Sequence, residues 1–172
     1  MRVCIVAEGC YPFVVGGVSS WVHSLIQLFP ETEFVILAIA ANRSQRGKYA
    51  YELPKNVSAV YELYLDDVDW SGSKKLHRKR LKKEQYQALR SLILDQDIEW
   101  DVLFDLFQKE NVSLNALLMG EDFLNAVRDC YNLEYSQIVF SDFLWTMRSI
   151  YLPLFLTMQT EIPRADLYHC VA

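Results

Sequence analysis

The apolar positions of this chain fall into two rhythms. Residues 2–8 form a short run rich in valine and isoleucine, closed by Gly9, which predicts a buried strand. Beyond a loop with Pro12 and the Gly16-Gly17 pair, the spacing turns helical. Val18, Trp21, Val22, Leu25, Ile26 and Phe29 share one side, and Ser20, His23, Ser24 and Gln27 share the other. That is an amphipathic helix, stopped by Pro30. Residues 33–41 are again a continuous apolar run, hence a second buried strand. Strand, glycine turn, helix and strand make a βαβ unit, which requires a parallel sheet with a right-handed crossover. Residues 57–65 predict a third strand, followed by an acidic turn from Asp66 to Asp69. Helical patterns then occupy residues near 74–95, 99–110, 120–131 and 140–159, and 166–171 predict a last strand. The fold class expected is α/β, a Rossmann-like parallel sheet with a helix-rich second half.

The longest apolar stretch, from Ile138 to Met158, contains Asp142, Arg148 and Pro153. An ionised side chain at mid-membrane costs about 2.5–3.5 kcal/mol, so this stretch predicts a buried helix and not a span. Arg148 is expected to pair there with Asp142 or Glu161. With 52% hydrophobic and 23% charged residues, the chain can bury a sizeable core. A net charge of −5 excludes a general nucleic-acid binder. Cys4, Cys10, Cys130 and Cys170 show neither a C-x-x-C pair nor zinc spacing, and reduced cytosolic thiols fit them best. The N-terminal run lacks the cleavage pattern of a secretory signal.

The Gly16-Gly17 turn is the first candidate for chemistry. Glycine lets a ligand come close to the backbone. A helix start presents unpaired N–H groups and the positive end of the dipole, which suit phosphate or sugar hydroxyls. Ser19 and Ser20 add hydroxyls in the first turn. A tight turn with glycines for packing alone explains the same residues. A dinucleotide fingerprint does not: the G-x-G-x-x-G spacing is missing, and the second strand ends Ala40-Ala41-Asn42-Arg43 without an acid.

The run Tyr11-Pro12-Phe13-Val14-Val15-Gly16-Gly17-Val18-Ser19-Ser20-Trp21-Val22-His23 resembles the N-terminal signature of glycosyltransferase family 4. It is most similar to that of the Pel-polysaccharide glycosyltransferase (PelF) family. Phe143 to Tyr151 and Pro163 to His169 are similar to later segments of the same family. The resemblance implies a GT-B fold, with two Rossmann-like domains facing a cleft. This chain, residues 1–172, would be the acceptor-side N-terminal domain, incomplete, without the donor-binding C-terminal domain. It further implies transfer of a sugar from a nucleotide diphosphate donor, expected to be a UDP-sugar, to a glycan acceptor in exopolysaccharide synthesis. Retention of configuration, no cofactor and no catalytic metal follow from the same resemblance. So does a cytoplasmic location, at the inner face of the membrane where a synthase complex is the partner. Carried over, Tyr11, Gly16, Gly17, Ser19 and Ser20 bind substrate or phosphate, and His169 lies near the reacting centre at the cleft end of a strand. Cys170 departs from the small residue expected after that histidine.

Other constellations are weaker. Asp67-Val68-Asp69 and Asp95-Gln96-Asp97 are D-x-D triplets of the kind that hold a divalent metal on a donor diphosphate, but solvated turns explain them better. Lys74 to Lys83 holds seven Lys or Arg in ten residues. It reads first as a solvated helix face, and as the partner-binding helix of a standalone interaction module in the rival functional reading. His23 is expected at the surface, and His77 belongs to the basic run. His169 sits in an apolar strand, where a satisfied core histidine is the alternative to a reacting one.

Overall fold

The computed structural model describes residues 1–67 and 80–172. His77, Val68, Asp69 and most of the basic run lie outside the described residues. The chain divides into two compact units. One comprises Met1–Asp67 with Glu161–Ala172, and the other Val68–Thr160.

The first unit is a parallel sheet with one long helix. Its strands are β1 (Arg2–Glu8), β2 (Glu33–Ala40), β3 (Val57–Tyr64) and β4 (Leu167–Val171), and its helix is α1 (Gly17–Leu28). The order β3-β2-β1-β4 is that of a Rossmann-like half, and every neighbouring pair is parallel. In register, Ile5 faces Ile36 on one side and His169 on the other. The unbroken apolar runs have a direct cause: both faces of the inner strands are buried. Val3, Ile5, Ala7, Phe34, Ile36 and Ala38 pack with Val22 and Ile26 of α1. Cys4, Val35 and Leu37 point to the opposite face and are also buried.

α1 ends as the sequence requires, before Pro30, but its last carbonyls are held from a distance. The Asn56 side-chain amide donates to the carbonyls of Ile26 (2.9 Å), Phe29 (3.0 Å) and Thr32 (3.2 Å). One side chain thus caps the helix and fixes the turn into β2. Asn56→Ala should lower stability by about 1 kcal/mol in urea denaturation, because three part-buried or exposed carbonyls lose a shared donor at the helix end.

The second unit is helical: α2 (Lys83–Ile93), α3 (Trp100–Phe104), α4 (Leu114–Leu118), α5 (Glu121–Cys130) and α6 (Phe140–Gln159). A π-helical turn extends α3 through Asp105–Lys109, and another follows α5 over Tyr131–Tyr135. α6 runs through Pro153 without ending. The core of this unit is largely aliphatic around an aromatic cluster, in which Phe155 stacks on Phe107 at 4.7 Å between ring centres. Arg148 does not pair with Asp142 or Glu161. Its Nε donates to the carbonyl of Leu118 at 2.9 Å, and its guanidinium lies over the Trp145 ring at 4.9 Å. A carbonyl and a π face replace the carboxylate, which suits a weakly hydrated, planar cation.

The described end of the basic run is bound within this unit. Arg80 pairs with Glu121, Lys82 Nζ lies 2.8 Å from Glu110 Oε1, and the Leu81 N–H donates to Asp122 at 2.8 Å. Asp95 takes a left-handed conformation (φ 50°) just past α2, where the N–H of Gln96 returns to the Ser91 carbonyl at 2.9 Å. The Asp95-Gln96-Asp97 triplet is therefore a helix-terminating turn. All four cysteines are free thiols. Among the described residues, no helix is long and apolar enough to cross a membrane.

Candidate functional site

The site begins where β1 ends. Gly9 has φ 63°, a conformation that favours glycine, and its N–H donates to the Ile39 carbonyl at 2.9 Å. The N–H groups of Phe13 and Val14 both donate to the Cys10 carbonyl at 3.0 Å, which curls the loop toward α1. The connection between β2 and β3 braces it from outside, through Ala50 N–H to the Pro12 carbonyl at 2.8 Å.

Gly16 and Gly17 are exposed at the start of α1. Gly16 is fully extended (φ −179°), a conformation any residue adopts. A Cβ placed on either glycine would meet nothing within 4 Å. Neither internal packing nor backbone geometry therefore demands glycine at these two positions. The helix start has no side-chain cap and no acid in its first turn. Its first turn carries the positive end of the dipole, and the two glycines there border open space.

The open space is a cleft of about 510 Å³, lined by Gly17, Val18, Trp21, Cys170, Val171 and Ala172. It lies where the chain order reverses. From β1 the sheet runs to β2 and β3 on one side and to β4 on the other, and the cleft sits between the start of α1 and the end of β4. Crevices at such a switch point, beyond the carboxyl ends of parallel strands, are where open α/β sheets bind ligands. His169 stands two residues before the end of β4, half-buried, with its ring 5.6 Å from that of Trp21.

The expected residues separate into two groups. Gly16, Gly17 and Ser20 are exposed at the helix start, and His169 packs against Trp21, which lines the cleft. Tyr11 and Ser19 are turned inward, 0% and 1% exposed. Ser19 shares the buried stripe of α1 with Val22 and Ile26, so its hydroxyl is not offered to a ligand from the surface.

His23 is not the simple surface residue expected. Its Nδ1 lies 3.2 Å from the Tyr11 hydroxyl and its Nε2 3.0 Å from the Gln27 amide. The Tyr51 ring packs against both, 5.0 Å from His23 and 5.3 Å from Tyr11, and its hydroxyl is 3.1 Å from Ser20 Oγ. Burial, reinforced by Tyr51, pushes the Tyr11 phenol up to about 12. Tyr11 is thus a neutral hydroxyl at neutral pH. This network ties the glycine loop, α1 and the β2–β3 connection together. Sequence periodicity missed it because Tyr51 is contributed from outside the helix.

A second cluster braces the same connection. Tyr64 and Tyr49 donate to Glu62 at 2.6 and 2.8 Å. Burial pushes the Glu62 carboxyl up, but the hydrogen bonds from Tyr64, Tyr49 and the Gly47 N–H, with Arg46 nearby, outweigh it and hold the carboxyl below its usual range. Asp66 accepts from the Arg43 N–H at 2.9 Å, and Asp67 pairs with the Arg43 side chain at 2.6 Å. The first acid of the Asp67-Val68-Asp69 triplet is therefore already neutralised. Among the described residues, no cluster of three or more His, Cys, Asp or Glu could hold a metal ion.

Of the known protein families, one described as a domain of unknown function, DUF3492, matches residues 1–172. No curated protein and no solved structure matches the chain.

Proposed function

The chain belongs to the DUF3492 family along residues 1–172, and from that premise we propose that it is the acceptor-side domain of a GT-B glycosyltransferase. In this reading a nucleotide-sugar, a UDP-sugar in the first instance, donates to a glycan acceptor in cell-surface polysaccharide synthesis. The Tyr11 to His23 signature, which resembles that of the Pel-polysaccharide glycosyltransferase family, supports this reading. The observation that carries the reading is the switch-point cleft beside a bare glycine helix start. Two glycines that neither packing nor φ requires leave a surface to which an oxygen-rich ligand can come within hydrogen-bond range.

Among the described residues, the cleft lining holds no lysine, arginine, aspartate or glutamate. Anion binding there would rest on backbone N–H groups and the helix dipole. A donor diphosphate would need further contacts from a second domain, as a GT-B enzyme provides. His169 would act at the edge of the cleft by hydrogen-bonding a reacting sugar, held in place by Trp21. In the rival reading, an interaction module built on the basic run, the described Arg80 and Lys82 are paired within their own unit, and residues 74–79 of the run lie outside the described residues.

The test uses the full-length protein that carries this domain. Release of nucleoside diphosphate and sugar transfer are followed with UDP-, GDP-, ADP- and dTDP-sugars. Transfer from one of them, lost when His169 is replaced by alanine, is the expected result. Absence of both binding and turnover with all four classes overturns the proposal.

A further inference from the structure

Trp21 stands out on α1. The buried stripe of this helix is Ser19, Val22 and Ile26. At about 3.6 residues per turn, Trp21 lies roughly 130° round the helix from the centre of that stripe. It is 49% exposed, at a position where its own unit gives it little to bury against. One neighbour does order it: the His169 ring, at 5.6 Å and a 35° tilt. The ring is thus backed by a second aromatic while it lines the cleft with Gly17 and Val18.

We propose that Trp21 is the platform on which a pyranose ring of the glycan acceptor stacks. This assignment rests on the glycosyltransferase reading and deepens it. A pyranose has an apolar face of C–H groups and a rim of hydroxyls. The electron-rich face of an indole matches the first. The uncapped N–H groups at the start of α1 match the second. An acyl chain would leave those N–H groups unsatisfied. A small free anion would leave the indole wet. The absence of charged side chains from the lining also favours a neutral ring over a diphosphate at this subsite.

Saturation-transfer NMR on the full-length protein tests this, with cellobiose, maltose and chitobiose as neutral probes and UDP measured on the same samples. Wild type, Trp21→Phe, Trp21→Leu and Trp21→Ala are compared, with circular dichroism to verify the fold. At least one disaccharide is expected to bind wild type. Trp21→Phe should hold it within about threefold, and Trp21→Ala should weaken it by at least about tenfold. Trp21→Leu keeps apolar area without a flat π face, and should behave as alanine does. UDP affinity should be the same in all four proteins. Wild-type disaccharide affinity in Trp21→Ala, full recovery in Trp21→Leu, or no disaccharide binding by wild type overturns the platform. If UDP-sugar turnover stands while Trp21 has no effect on disaccharides, the platform alone fails. If turnover is absent but disaccharide binding is lost in Trp21→Ala, the glycosyltransferase reading fails and a glycan platform remains.

Discussion

Gly17→Val in the full-length protein should abolish sugar transfer, by at least about a hundredfold, while the fold survives. Two observations combine here. First, nothing inside the chain opposes a side chain at this position: Gly17 is helical, and a Cβ on it would meet no atom within 4 Å. A glycine in a helix costs roughly 0.5–1 kcal/mol relative to alanine. Thermal unfolding of the variant should therefore occur at the wild-type temperature or slightly above. Second, Gly17 lines the cleft at the helix start. A valine there projects two methyl groups over N–H donors that a ligand must approach, and a displacement of about 1 Å in a reacting complex costs about 10²-fold in rate. Gly17→Ala should fall between the two. Stability and activity thus move in opposite directions, which no packing role for the glycine explains. Wild-type rates in Gly17→Val would remove the loop from the site.

Much of this architecture is visible in the pattern of side chains, for a physical reason. β1 and β2 are covered on both faces, so the positions between their ends are apolar, and the charged residues Arg2, Glu8 and Glu33 stand only at the ends. Such runs cannot be mistaken for loops. The short elements of the second unit escape the same treatment. α4 spans only Leu114–Leu118, too few residues to show a period, and the two π-helical turns break the helical spacing they follow. Exposure at the site was legible where local chemistry sets it. Gly16, Gly17 and Ser20 stand exposed at a helix start, as the turn chemistry requires. Roles set by distant partners were not. Helical spacing put Trp21 on the apolar side and His23 on the polar side. The fold instead leaves Trp21 half-exposed in the cleft and gives both nitrogens of His23 partners, Tyr11 and Gln27. Ser19 shows the same limit from the other side: a hydroxyl residue expected at the surface is buried with Val22 and Ile26, and only the packing reveals it.

Phe155→Ala should cost the second unit about 3–5 kcal/mol, the largest loss of stability expected from a single truncation here. Phe155 is fully buried. Its ring stacks on Phe107 at 4.7 Å, meets Phe123 edge-on at 6.4 Å and lies 5.5 Å from Tyr151. One side chain therefore joins α6 to the π-helical turn after α3 and to α5. Removing it forfeits the transfer energy of an aromatic ring and leaves a cavity whose walls are held by three other aromatic residues. Rigid rings do not collapse into a void as aliphatic chains can, so the cost falls toward the upper part of the range. Phe155→Leu keeps most of the volume and should cost roughly half as much, the difference measuring ring geometry apart from bulk. Urea denaturation followed by near-ultraviolet circular dichroism checks both variants. A loss below about 1 kcal/mol in Phe155→Ala would show that the aromatic cluster is not the core of this unit.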